Sequence, residues 1–448
     1  MKYRISLFVA LMLVANASIK AQPNDSLSFN FTLKEAVDYA LNHQSAVLNA
    51  KVDEEIASNT VKQTIGIGLP NVSTSLSFQD FLKVPTSLLP GEFFGQPGTQ
   101  IPVQFGVKYQ GSAGIQVDQL LFDGTYLVGL QASKTYKELS ARNSARTRIE
   151  TAVAVTKAYY SVLVSNEQLT LIDANLTQLR KSLNDTEVLF KNGFAERIDV
   201  DRLQVLKNNL ETERENVIRL LALNVDLLKF QMGMPVQAML TLEDKISNVD
   251  TQPASVLVAD TTVYKSRIEY SLLETQRKLN ELDLKRLKSQ FLPTIRGFAS
   301  TSKSYQSNSF SNLLSQDFPT SVIGLNFSWT LINGGQRLFQ TRNAKLAIIK
   351  TDNDIYNLKN VVSLEVSQSQ KLYANSLQSV ENQKRNLGLA QEILRVSRIK
   401  YEQGIGSSLE VTTAETSLKE AQNNYITALY DMLINKVNLD KATGKINY

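Results

Sequence analysis

Larger apolar residues alternate with small polar ones along Val72-Ser73-Thr74-Ser75-Leu76-Ser77-Phe78. The same period returns where Ile323, Leu325, Phe327, Trp329 and Leu331 alternate with Gly324, Asn326, Ser328 and Thr330. A two-residue period with one apolar and one small polar face predicts strands of a barrel set between lipid and water. A third strand, alternating poorly, is expected around Thr294–Ser300. Elsewhere the period is helical. A first helix is expected from about Leu33 to Ile65, stopped by Gly66, Gly68 and Pro70. The segments after Gly124 and Gly334 run without proline for about 65 residues, close to 100 Å of helix at 1.5 Å per residue. Each is followed by a shorter helix with heptad spacing. Val411, Ala414, Leu418, Ala421, Tyr425, Ala428, Met432, Asn435, Leu439 and Ala442 form one seam, and Val200, Leu203, Leu210, Val217, Leu221, Asn224 and Leu228 the other. Such seams predict coiled-coil packing, with Asn224 and Asn435 at matching positions.

The pattern occurs twice. Gly114-Ile115-Gln116-Val117-Asp118-Gln119-Leu120-Leu121-Phe122-Asp123-Gly124 matches Gly324-Leu325-Asn326-Phe327-Ser328-Trp329-Thr330-Leu331-Ile332-Asn333-Gly334 at an offset of 210. Phe190-Lys191-Asn192-Gly193 matches Tyr401-Glu402-Gln403-Gly404, and Gly233 matches Gly444, both at 211. Leu69-Pro70 pairs with Leu292-Pro293 at 223, so the first copy has the longer inter-strand loop, carrying Pro85, Pro90, Pro97 and Pro102. The expected organisation is a first repeat over 22–243, a linker over 244–263 around Pro253, and a second repeat over 264–448.

Composition then narrows the chemistry. The 448 residues include no cysteine and one histidine, His43. Disulfides, thiolate metal sites and multi-histidine zinc sites are excluded, and a Ser-His-Asp triad is disfavoured. No P-loop, zinc motif or nucleophile elbow is present, so neither an enzyme nor a cofactor is expected. Lys2 and Arg4 precede the apolar run Ile5–Ala15, which is too short to span a bilayer and suits a signal peptide over 1–21, cleaved after Ala17 or Ala21. Removing 1–21 takes away Lys2, Arg4 and Lys20, so the formal charge of +5 falls to +2. The basic balance therefore gives no reason to expect nucleic acid.

Leu33-Lys34-Glu35-Ala36 with Ala40-Leu41, the two Leu-Pro strand openers, Leu121-Phe122-Asp123-Gly124 and its echo Leu331–Gly334 together resemble the TolC-like outer-membrane efflux family. Tyr401-Glu402-Gln403-Gly404 leading into Leu409-Glu410-Val411, then Leu433-Ile434-Asn435 and Ala442-Thr443-Gly444, carry the resemblance furthest. The likeness extends from Leu33 to Gly444. Two departures stand out: Asn42-His43-Gln44 replaces the frequent Asn-Asn-Pro, and Gly406 stands where some members have a gating arginine.

The resemblance implies an α+β membrane protein. It would be a homotrimer with a 12-stranded outer-membrane barrel, four strands per chain, continued by a periplasmic α-helical coiled-coil barrel. It further implies a passive exit duct of a tripartite efflux or type I secretion system, working with a periplasmic adaptor (a membrane fusion protein) and an inner-membrane transporter. In that frame Val72, Leu76, Phe78, Leu325, Phe327 and Trp329 are the candidates to face lipid. The gate is expected at the turns containing Gly193 and Gly404. Asp199 and Glu410, equivalent at offset 211, would form an acidic constriction favouring cations, and Phe190 and Tyr401 would brace it. Ser407-Ser408-Leu409-Glu410 also fits a capping box. The rival reading is a soluble periplasmic coiled-coil scaffold or adaptor without a pore, which would not need two strand pairs with apolar faces. A closed porin is weaker still, since it lacks long heptad helices.

Overall fold

The computed structural model describes residues 28–246 and 262–446. The expected signal peptide and most of the expected linker lie outside the described residues.

The chain runs in two strings of elements. The first comprises β1 (Ser28–Phe31), α1 (Leu33–His43), α2 (Ser45–Gly66), β2 (Asn71–Asp80), β3 (Thr86–Pro90), β4 (Gln100–Gln104), β5 (Tyr109–Phe122), α3 (Gly124–Lys191), α4 (Arg197–Met232) and β6 (Met239–Leu242). The second comprises α5 (Ile268–Ser289), β7 (Thr294–Ser307), β8 (Asp317–Ser328), α6 (Gln336–Glu402) and α7 (Ser408–Ala442). The long helices have 68 and 67 residues and their partners 36 and 35. At 1.5 Å per residue each long helix spans about 100 Å.

The helix expected from Leu33 to Ile65 is instead two helices, because Gln44 is extended (φ −66°, ψ 126°). Its side-chain Nε2 donates to Phe230 O and Gln231 O, at 3.2 and 3.1 Å. Gly233, at φ +72°, then approaches so closely that a Cβ would lie 2.6 Å from His43 O. The break is thus a tertiary effect: α1 bends so that the end of α4 can dock on it.

The four long strands form one antiparallel sheet in the order β2-β5-β7-β8. The weakly patterned strand near Thr294 is a full 14 residues long. Conversely β8 ends at Ser328, so Trp329 and Leu331 fall beyond the strand that their alternation predicted. Two small sheets were not anticipated. The proline-rich loop holds the antiparallel hairpin β3–β4, and β1 pairs in parallel with β6 across more than 200 residues.

Around β1 and β6 sits the best-packed core. Ala36 and Ala40 of α1 meet Val155, Tyr159 and Val162 of α3 and Leu228 and Met232 of α4. The buried Tyr159 hydroxyl donates to Asp244 Oδ2 at 2.8 Å, and that oxygen also accepts from Leu33 N, at 2.9 Å. Desolvation and the adjacent Asp244 push the Tyr159 hydroxyl's pKa upward, so it serves as a permanent donor. In the second string a buried arginine has the comparable task. Arg267 Nη1 donates to Glu365 Oε2 and Ala442 O, and its Nε and Nη2 to Glu269, fastening α5 to α6 and α7.

Both heptad seams are used. Leu203, Leu210 and Val217 of α4 pack on Ile172, Leu176 and Leu179 of α3. Val411 and Ala414 of α7 pack on Leu394 of α6, and Leu429, Met432 and Leu433 lie further along. Asn224 Nδ2 donates to Ser165 Oγ at 2.9 Å. No helix among the described residues is long and apolar enough to cross a membrane.

Candidate functional site

The register of the large sheet sorts its side chains into two faces. Val72, Leu76 and Phe78 are opposite Val117, Ala113 and Gly111, and Val117 is opposite Ala299, itself opposite Ile323. Ile295 and Gly297 are opposite Phe327 and Leu325. Five of the six strand candidates, Val72, Leu76, Phe78, Leu325 and Phe327, therefore share one face. The other face carries Ser73, Ser75, Ser77, Ser112, Gly114, Gln116, Ser300, Ser302 and Asn326. Among the described residues no element covers the apolar face: Leu76 is 86% exposed and Ile323 87%. So large an uncovered apolar surface marks an interaction site. At one end Phe78, Tyr109 and Phe310 cluster, with ring centroids 5.7–6.3 Å apart.

The apolar residues do not form a level band. Ser75, in the middle of the β2 set, is carried by the register to Gly114, Ser302 and then Thr320, whereas the β8 set centres on Leu325. The band thus slips five residues toward the helical end in crossing three strand spacings. That is about 16 Å over roughly 14 Å, a slope near 45–50°.

Trp329, the sixth candidate, follows the end of β8 and donates its Nε1 to Phe291 O at 3.0 Å. The Leu121–Gly124 motif and its echo also differ. Asp123 Oδ1 accepts from Thr125 N at 2.7 Å and Tyr126 N at 3.2 Å, capping α3. Asn333 makes no such cap, and Gly335, at φ +80°, precedes α6.

At the far ends of the long helices, Gly193 and Gly404 take the left-handed conformation, φ +81° and +74°. Phe194 N donates to Leu189 O at 2.9 Å, and Ile405 N to Lys400 O at 3.0 Å, closing a Schellman-type turn in both cases. Glycine is required because a Cβ is disfavoured at that φ. Phe190 is 37% exposed and Tyr401 half-buried, each on the last turn before its glycine.

The two candidate carboxylates are placed alike and held differently. Asp199 Oδ2 accepts from Glu196 N at 3.3 Å in a reciprocal box, and its other oxygen lies 3.5 Å from Arg202 Nη1. Ser407 Oγ accepts from Glu410 N at 3.2 Å, which is half of the box expected there. The Glu410 carboxylate is exposed and makes no hydrogen bond or ion pair among the described residues. Gly406 has a packing reason to be glycine, since a Cβ there would lie 2.9 Å from Lys400 Cβ.

His43 sits exposed on α1, stacked on Tyr39 at 3.9 Å with Nδ1 2.8 Å from Tyr39 O. Among the described residues no group of His, Asp and Glu is arranged to hold a metal. Sequence reasoning missed the part-buried pair Arg398–Glu415, 2.9 Å apart where the two helical hairpins meet. Its only advance signal was the position of Glu415 next to the seam residue Ala414.

Geometry and likeness then converge. The family model described as outer membrane efflux protein matches residues 36–222 and 286–445. Outer membrane protein TolC of Salmonella enteritidis is 23% identical over 363 residues, covering 75% of this chain and 69% of that one. Alkaline protease secretion protein AprF of Pseudomonas aeruginosa is 23% identical over 289 residues, 63% of this chain. The match spans 59% of AprF. In fold, the crystal structure of CusC superposes with a TM-score of 0.74 at 17% identity over 92% of each chain. The open-state MtrE channel of Neisseria gonorrhoeae gives 0.72 at 16%, over 92% of this chain and 88% of that one. The chain belongs to the outer membrane efflux protein family, a family of outer-membrane channels rather than enzymes.

Proposed function

We propose that three copies of this chain form a passive exit duct through the outer membrane, for small molecules or polypeptide. Each copy would give four strands to a closed barrel of twelve, with the long helices continuing as a periplasmic tube. The observation that carries this reading is the four-stranded sheet itself. It has one uncovered apolar face, a second face that mixes serines, Gln116 and Asn326 with Phe298, Phe318 and Val322, and unpaired edges at β2 and β8 among the described residues. Open edges are not tolerated in lipid, so neighbouring copies must close them. The slope of the apolar band supports the same geometry, being close to the tilt of barrel strands relative to the membrane normal. The matched helix lengths support an internal duplication, with repeats over 22–243 and 264–448.

The periplasmic adaptor and the inner-membrane transporter come from the family likeness, and energy for transport would come from the transporter. The soluble-scaffold alternative leaves the apolar face unexplained.

Extraction and substitution test the reading. The protein is expected in detergent extracts of outer membranes as a trimer, and a monodisperse, water-soluble monomer would overturn it. Arg at Val72, Leu76, Phe78, Leu325 or Phe327 should cost about 2–4 kcal/mol near the bilayer midplane, and much less at Ser75 or Asn326. Equal tolerance on both faces would remove the lipid assignment.

The gate would lie at the turns of Gly193 and Gly404, with Asp199 and Glu410 ringing the axis and Phe190 and Tyr401 bracing the turns. Glu410→Gln with Asp199→Asn should lower cation selectivity and weaken block by multivalent cations in single-channel recordings. Unaltered selectivity and block would reduce both carboxylates to helix caps.

A further inference from the structure

At the end of β2 and β5 away from the helices, the chain continues into the β3–β4 ribbon, which packs chiefly on itself among the described elements. Its tip is braced from within. Gly91 N donates to Thr99 O and Gln96 N to Gly91 O, both at 2.8 Å, and Glu92 Oε1 accepts from Gly98 N at 3.3 Å. A Cβ on Gly91 would lie 2.2 Å from Thr99 Oγ1, so only glycine fits that turn. The braced tip holds Phe93 and Phe94 outward, 79% and 52% exposed. Leu88 and Phe105 are exposed as well. From 84 to 107 the single charged residue is Glu92. Apolar side chains on a ribbon with so little charge call for a cover, because a lone two-stranded hairpin is marginal in water.

We propose that the ribbons of three copies turn over the outer mouth of the barrel and dock tip to tip, so that Phe93 and Phe94 form an apolar gate on the threefold axis. The proposal rests on the trimeric channel reading. Lipid fits less well as the cover. The Phe78–Tyr109–Phe310 cluster ends the apolar face, as an aromatic girdle ends a hydrocarbon band, and the ribbon starts beyond it. Reach favours a second copy. Twelve strands about 4.8 Å apart and tilted about 45° enclose a radius of roughly 13 Å. Five residues at about 3.3 Å each carry β3 about 17 Å, far enough to meet its counterparts at the axis. A joint for the turn is present. Between the pairs Asp80–Tyr109 and Thr86–Gln104 lie residues 81–85 on one arm and 105–108 on the other, and the extra residue is a bulge, which bends a ribbon. Gly106, in the shorter arm, takes φ +124°. Because the tip is already ordered, docking loses little conformational entropy. A phenylalanine constriction of this kind stops ions by excluding water.

The chain has no cysteine, so one introduced thiol reports on its own position. In the full-length protein in outer membranes, Phe93→Cys should give a covalent dimer on oxidation, since one disulfide joins two of three copies. Lys83→Cys, exposed at the base of the ribbon, should not. Phe93→Asp with Phe94→Asp should raise the mean single-channel conductance at least about twofold, and oxidised Phe93→Cys should lower it. Native mass measurement on the same samples separates the two readings. A trimer without the Phe93→Cys dimer, or with equal cross-linking at Lys83→Cys, would overturn the outer gate and leave the channel standing. Unchanged conductance in the double aspartate variant would overturn it too, as would quenching of Phe94→Trp by brominated lipid in a Trp329→Phe background. A monomer would overturn the channel reading itself.

Discussion

Where α3 and α4 bury Ile172, Leu176, Leu179, Leu183, Leu203 and Leu210, the positions 211 residues later in α6 and α7 are Gln383, Leu387, Ala390, Leu394, Ala414 and Ala421. Backbone lengths and turns of the two hairpins agree almost residue for residue. Their interiors do not. Each methylene withdrawn from a seam removes about 0.8 kcal/mol of burial, so the second hairpin is expected to hold together less firmly near its tip. It also has the Arg398–Glu415 pair, at positions where the first hairpin has Glu187 and Gln204. Shape is kept by helix length and turn glycines; resistance to opening is set separately, by seam volume.

The largest expected effect follows from that volume. Amides in the outer halves of α6 and α7 should exchange faster than their counterparts in α3 and α4. Leu210→Ala should cost about 3 kcal/mol, raising local opening of the first hairpin roughly a hundredfold. Equal exchange in the two wild-type hairpins would end the comparison. Somewhat smaller is the penalty of orphaning a charge. Arg398→Leu leaves Glu415 part-buried and unpaired, at about 2 kcal/mol after allowance for partial exposure. Adding Glu415→Leu should recover most of that loss, with hydrogen exchange confined to α6 and α7 as the readout.

Acid should separate the hairpins by sign. Burial holds the Glu415 carboxyl above its ordinary value. The folded hairpin then binds a proton more readily than the unfolded chain, and stability falls as pH rises from about 4.3 through the folded pKa. The hydrogen bond from Arg180 holds Glu211 of α4 below its ordinary value. Its contribution is present above about 4.3 and lost as pH falls through the folded pKa. Acidification toward the folded Glu415 pKa should therefore protect the amides around Glu415 in α7 without helping those around Glu211 in α4, and Glu415→Gln should remove that local response. A response of the same sign in both hairpins would refute the assignment. Smallest are the caps: Ser407→Ala should cost about 1 kcal/mol in the first turn of α7, visible as faster exchange there and nowhere in α4.

Much of the architecture was readable locally. The two-residue period gave the faces of β2 and β8, the heptads gave both seams, and the Gly193 and Gly404 turns were found from their matched motifs. What escaped depends on residues distant in sequence. Nothing near Gln44 announces a break, because the cause is Gly233 docking on α1. No local pattern links β1 to β6, since four-residue strands pair across the whole first string of elements. Prolines at 85, 90 and 102 argued for an irregular loop, yet Pro90 and Pro102 lie in a two-stranded ribbon, where edge positions tolerate a missing donor. The Arg398–Glu415 pair was hidden because charges on long helices usually face water. Of the candidate site, the sheet face was legible, whereas the unequal holding of Asp199 and Glu410 turned on whether residue 196 or 407 supplies a carboxylate or a hydroxyl.

If β2 and β8 are joined only to neighbouring copies, as proposed, a chain altered at either edge would not fail alone. In a barrel closed only across chain boundaries, every faulty copy takes sound neighbours into a defective assembly. Edge substitutions would then act dominantly when both forms are made in one cell, whereas loss of the whole chain would be recessive. Inheritance, and not only structure, would show where one molecule ends and the next begins.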